Sequence, residues 1–185
     1  MQRILILLLI FNANYAFTQN NKIERKGLNI GFGIGSGLLT LNTNDTSQTS
    51  FSLTLPNIKL GYMLNNNLSL QLLLPGATYK YNNKDRGFEG IVIAGQYWIK
   101  DNLWIIGGGG FTFDAPAFYT VKDIKTADFY TGFPALTFAT GYDIYKKGKF
   151  ALDIHYRSFW GNSNIINNGN RKGFSNMVIV GLSWF

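Results

Sequence analysis

The chain has 185 residues, of which 46% are hydrophobic and 16% aromatic, with a net charge of +7, 21 glycines and no cysteine. The missing cysteine excludes disulfide staples and a lipid-modified cysteine, and cations scattered along the chain do not make a nucleic-acid surface, which leaves anionic lipids or sugar phosphates as the partners that suit the charge. So much apolar content with almost no stretch of amphipathic helical spacing suggests that much of it faces lipid.

The first residues, MQRILILLLIFNANYAFTQN, carry one basic residue, Arg3, an apolar run from Ile4 to Phe11, and small and polar residues around Ala16. A helix crossing a bilayer needs about 20 apolar residues, so this run is too short. It reads as a secretory signal peptide cleaved after Ala16 or after Thr18, the second choice leaving Gln19 first. Residues 1–18 are expected to leave, taking the charge of Arg3 and lowering +7 to +6, and residues 19–185 to form one domain.

Next comes GLNIGFGIGSG, which superficially suggests a phosphate-cradling loop. A dinucleotide fingerprint, G-x-G-x-x-G, needs its longer gap to turn strand into helix. Here Gly31, Gly33, Gly35 and Gly37 keep a strict period of two, the geometry of an extended strand. Leu28, Ile30, Phe32 and Ile34 then share one face and the glycines the other.

Beyond it, three tight polar turns stand at residues 65–67, 100–102 and 146–149, each flanked by alternating apolar residues, the hairpin signature. Ile58, Leu60, Tyr62 and Leu64 lead into the first, and Leu68, Leu70, Leu72 and Leu74 lead out. Ile91, Ile93, Tyr97 and Ile99 enter the second, and LWIIGGGGFTF leaves it. Leu136, Phe138, Thr140, Tyr142 and Ile144 enter the third, and Phe150, Leu152, Ile154 and Tyr156 leave it. With the glycine strand before and GFSNMVIVGLSWF after, eight strands are predicted. Longer polar connections are expected at 41–50, 76–87, 114–130 and 160–172. Gly107 to Gly110 should permit close approach or a bulge.

Short and long connections alternate, as in an eight-stranded antiparallel up-and-down transmembrane β-barrel, an all-β fold whose strands face lipid with apolar residues and the lumen with polar or small ones. Closure is required because lipid offers no partner to an unpaired amide. Two aromatic girdles are expected: Tyr62, Tyr97, Trp98, Trp104, Tyr142, Tyr145 and Phe150 by the short turns, and Tyr79, Tyr81, Phe111, Phe113, Phe133, Phe159, Trp160 and Phe174 by the long connections. On the last strand Val178, Val180, Leu182 and Trp184 are the more apolar set and are assigned to lipid.

This plan resembles the small eight-stranded bacterial outer-membrane β-barrel family and is similar to the membrane domain of outer membrane protein A. The terminal Phe185 resembles that family's assembly signal, although Ser183 stands where a second aromatic is usual. The resemblance implies residence in the bacterial cell outer membrane, contact with its lipid and lipopolysaccharide, and recognition by the outer-membrane assembly machinery through Phe185. It also implies short turns and both termini in the periplasm.

Asp153, His155 and Arg157 share one face of the seventh predicted strand, Asp143 lies on the polar face of the sixth, and Lys59 on that of the second. These five are expected to converge as a lumen network of paired charges. A lipid hydrolase or acyl transferase would need His155, the single histidine, as base for a nucleophile. Ser158 is three residues on and therefore on the opposite strand face. No catalytic residue is assigned. One histidine and no cysteine do not make a zinc site, and NTNDTS lacks the acidic density of a calcium loop; no metal or cofactor is expected. A structural or surface-interaction role in the four long connections is expected. The alternatives are a narrow small-solute channel, the lipid-modifying enzyme, and, further out, a soluble lipocalin-like barrel.

Overall fold

A computed structural model describes residues 23–185 except 45, 82, 118, 120–128 and 166–168. The expected signal sequence lies outside the described residues. Nine strands follow one another: β1 (Gly27–Asn42), β2 (Ser47–Asn65), β3 (Leu68–Leu74), β4 (Gly76–Tyr81), β5 (Lys84–Trp98), β6 (Leu103–Pro116), β7 (Tyr130–Lys147), β8 (Phe150–Ile165) and β9 (Gly169–Trp184). All pairings are antiparallel. The ladder runs β3-β2-β1-β9-β8-β7-β6-β5, and a β3–β5 pairing closes the ring.

The barrel therefore has eight staves. β3 and β4 form a single stave broken at Pro75, which has no N–H to donate. Its carbonyl still accepts from Gly90 N at 2.8 Å, keeping the chain beside β5. Above the break β4 pairs with β5 alone, and side chains link it to β2: Ser52 Oγ donates to the Thr78 carbonyl, and Thr78 Oγ1 to the Leu53 carbonyl at 3.3 Å.

The three short turns fall where expected. The long connections are shorter than expected, because the strands continue through most of them. β1 and β2 pair as far as Asn42 and Ser47, β4 and β5 as far as Tyr81 and Lys84, and β8 and β9 as far as Ile165 and Gly169. A ladder needs only its backbone partners, so threonine, serine and asparagine continue it where the apolar pattern stops.

Period two holds around the ring. Leu28, Ile30, Phe32 and Ile34 are exposed, as are Leu70, Leu72, Ile91, Ile93, Leu136 and Phe138, and together they form a continuous apolar belt. Val178, Val180, Leu182 and Trp184 face outward, while Met177, Ile179 and Phe185 are buried. Bulges shift the register opposite Gly33/Gly35, Gly110/Thr112 and within Asp143/Tyr145. The second adjoins the glycine run, although the extra residue belongs to β7.

The aromatic girdles need one correction. Tyr62, Tyr97, Tyr142, Tyr145 and Phe150 ring the short-turn end, joined by Trp184, and Phe111, Phe133 and Phe174 lie toward the other. Trp98 and Trp104 are each only 1% exposed and point inward, as do Tyr79 and Phe159. Strand phase decides: Trp98 shares the face of Gln96 and Ala94, one step from outward Tyr97. Proximity to a turn suggested the girdle, but alternation governs the direction.

Candidate functional site: a lumen of stacked layers

At the short-turn end Arg25, which precedes β1, enters the barrel mouth. Its guanidinium donates to Asp143 Oδ2 at 3.1 Å and to the Asp101 carbonyl at 2.5 Å. Asp143 also accepts from Trp98 Nε1 at 3.3 Å and Trp104 Nε1 at 3.0 Å. Arg25 lies 4.5 Å from the Trp98 ring centre, and Phe185 meets Trp98 edge-on with centroids 5.7 Å apart. The terminal aromatic thus helps close this mouth from inside.

One layer further in, Asp153 holds His155 Nδ1 at 2.6 Å and stands 3.7 Å from Lys59 Nζ, an ion pair rather than a hydrogen bond. The His155 and Trp104 rings lie 5.2 Å apart, and Lys59 Nζ is 5.4 Å from the Trp104 ring centre. Glycines make the space. A Cβ at Gly31 would stand 2.1 Å from Lys59 Cε, and one at Gly181 would stand 2.7 Å from both carboxylate oxygens of Asp153. The period-two glycines are therefore the inner wall beside these long side chains, as eight strands leave little room. Beside them Gln71 bonds Gln96 at 2.5 Å and Ser69 at 3.0 Å, and Asn29 donates to Ser69 at 3.3 Å.

Arg157 comes next along β8. It donates to Asn57 Oδ1 and, at 2.9 Å, to Thr54 Oγ1. Above it the lumen turns apolar: Phe88 and Phe159 meet with centroids 5.9 Å apart, and both are fully buried.

At the long-hairpin end a second charged layer caps the apolar one. Asp114 takes Arg86 Nε at 2.7 Å on one oxygen, and Arg171 at 2.5 Å with Tyr79 Oη at 2.7 Å on the other. Burial, and then the Asp114 charge beside it, push the Tyr79 phenol above its ordinary range, so it stays protonated and donates. The Arg171 guanidinium lies 4.8 Å from the Tyr81 ring centre.

The five residues expected to form one network thus divide into three. Lys59, Asp153 and His155 come together, Asp143 serves Arg25 and two indoles, and Arg157 bonds Asn57 and Thr54 and no carboxylate, while lining one cavity with Lys59 and His155. Sequence reasoning missed Arg25 and the Arg86–Asp114–Arg171–Tyr79 cluster. The signal lies in the sequence: all three charged members of that cluster continue the inward phase of their strands, in segments whose polarity suggests loops. Ser158 Oγ donates to Asn176 Oδ1 at 2.8 Å, away from His155 as its strand parity requires.

A closed antiparallel ring with an apolar outer belt and a polar, filled interior defines a small eight-stranded β-barrel of the outer-membrane type. Solved structures share this fold, two of them as follows. Neisserial surface protein A aligns with a TM-score of 0.56 at 17% identity over 84% of this chain and 96% of its own. The attachment invasion locus protein Ail of Yersinia pestis, in complex with the heparin analogue sucrose octasulfate, aligns with a TM-score of 0.53 at 13% identity over 86% of this chain and 99% of its own. No sequence-family description matches the chain, and no curated protein matches it in sequence.

Proposed function

We propose that this protein resides in the bacterial outer membrane as a structural or surface-interaction barrel, with its short turns in the periplasm and its hairpin ends outside, contacting lipopolysaccharide or other anionic sugars. The observation that carries this reading is the filled lumen. The Phe88–Phe159 layer separates two charged layers, which disfavours a continuous aqueous path and leaves the hairpin ends as the accessible surface.

Those ends suit an anionic partner. Lys80 and Lys172 are exposed there, and Arg171 lies beneath the Tyr81 ring. Ail was crystallised with a sulfated sugar analogue, a ligand of the same charge on the same fold. The enzyme alternative is weakened by His155, which lies buried below the apolar layer and bonded to Asp153, while Ser158 points away. The assembly machinery is a further proposed partner; with Phe185 turned inward, Leu182 and Trp184 are what the last strand presents to it.

The test is calorimetric titration of the folded, detergent-solubilised barrel with lipopolysaccharide and with a sulfated oligosaccharide. Binding that weakens with salt and in Lys80→Ala/Lys172→Ala supports the reading. Absence of binding to both, together with stepwise conductance in a planar bilayer, would replace it with the channel.

A further inference from the structure

Among the described residues the lumen cations Arg25, Lys59, Arg86 and Arg171 each reach a carboxylate, at 3.1, 3.7, 2.7 and 2.5 Å. Arg157 does not. It is 5% exposed, its two terminal nitrogens donate to the neutral Asn57 and Thr54, and its Nε has no hydrogen-bond partner. Asp153, on the same strand face, pairs with His155 through Oδ1, while its Oδ2 has no hydrogen-bond partner and stands 3.7 Å from Lys59 Nζ as an ion pair.

Arg157 lines a cavity of about 30 Å³, together with Phe32, Asn57, Lys59, Trp104 and His155. Counting Lys59 and Arg157 as positive, Asp153 as negative and His155 as neutral leaves one positive charge around it. A buried charge without a partner is strongly destabilising. Water in the cavity could satisfy Nε but would leave the charge uncompensated. A volume able to hold one or two waters also holds one monatomic anion.

We propose that this cavity is a binding site for one monovalent inorganic anion of chloride size, held between Arg157 and Lys59 and supplying the missing counter-charge.

The experiment compares the thermal unfolding midpoint of the folded barrel in sodium chloride, sodium bromide and sodium gluconate at matched ionic strength, and collects anomalous diffraction from crystals grown in bromide. A midpoint rising by about 3–5 °C per tenfold increase in chloride or bromide, but not gluconate, is expected above the dissociation constant. So is an anomalous peak between Arg157 and Lys59. Arg157→Gln should abolish the halide dependence; if that variant does not fold, the bromide peak in the unaltered protein decides alone. A midpoint indifferent to halide, with no peak in the cavity, would mean that water fills it and would overturn the proposal.

Discussion

Arg25 and Asp143, 118 positions apart in sequence, meet at 3.1 Å across the short-turn mouth, where the same carboxylate also receives two indole N–H groups. Removing one partner leaves the other's charge buried. Asp143→Ala should therefore destabilise the barrel by about 3–5 kcal/mol, read from urea unfolding in detergent micelles. The double variant Arg25→Met/Asp143→Leu should recover much of the loss, because replacing both partners by apolar groups removes the desolvation penalty along with the attraction. If the double variant is as unstable as the single one, the pair is not the source of the effect.

The parts of this fold legible in sequence were those governed by period two. The apolar belt, the three tight turns and the outward phase of Val178 to Trp184 all follow from alternation. What escaped depended on contacts between distant strands. Nothing local marks Arg25 as a lumen residue, since it precedes the first strand and reaches Asp143 only once the ring closes. Arg86, Asp114 and Arg171 keep the inward phase but lie in polar segments, where polarity marks the end of the apolar belt and not the end of the strand. The connection expected at 76–87 is itself strand from Gly76 to Tyr81, so that Pro75 is a break within one stave.

The inner-wall glycines give a sharper contrast. A Cβ at Gly181 would stand 2.7 Å from the Asp153 carboxylate, whereas one at Gly107 meets nothing within 4 Å and points outward. Gly181→Leu should force Asp153 from its place and cost about 1–3 kcal/mol by overpacking, with a further loss if the Lys59 and His155 contacts break. Gly107→Leu adds apolar surface to the belt and should leave stability unchanged or slightly improved. Equal losses at both positions would mean that the two glycines are not distinguished by the lumen.

The belt itself can be read by inserting charge. Ile93 is 64% exposed in the middle of the outward face of β5, whereas Gln48 is exposed near the tip of the β1–β2 hairpin. Ile93→Arg should cost about 2–4 kcal/mol in lipid vesicles, the depth-dependent penalty of a charged side chain near the bilayer midplane, and Gln48→Arg about 0–1 kcal/mol. In a barrel standing in water the order would reverse or vanish, because arginine in place of an exposed isoleucine would then be harmless.

Closure of the ring gives the most direct observable. Because β3 pairs with β5 as well as β2, no stave of the apolar belt is left with a free edge, and detergent alone has no open ladder at which to begin unfolding. The unheated protein should keep its barrel in dodecyl sulfate and migrate differently from the boiled chain on the same gel. Asp143→Ala, which loosens the mouth without opening a ladder, should lower the temperature at which the two forms merge while preserving the shift at room temperature. A protein released in aqueous buffer that shows one mobility at every temperature would instead have its apolar belt covered by something other than lipid.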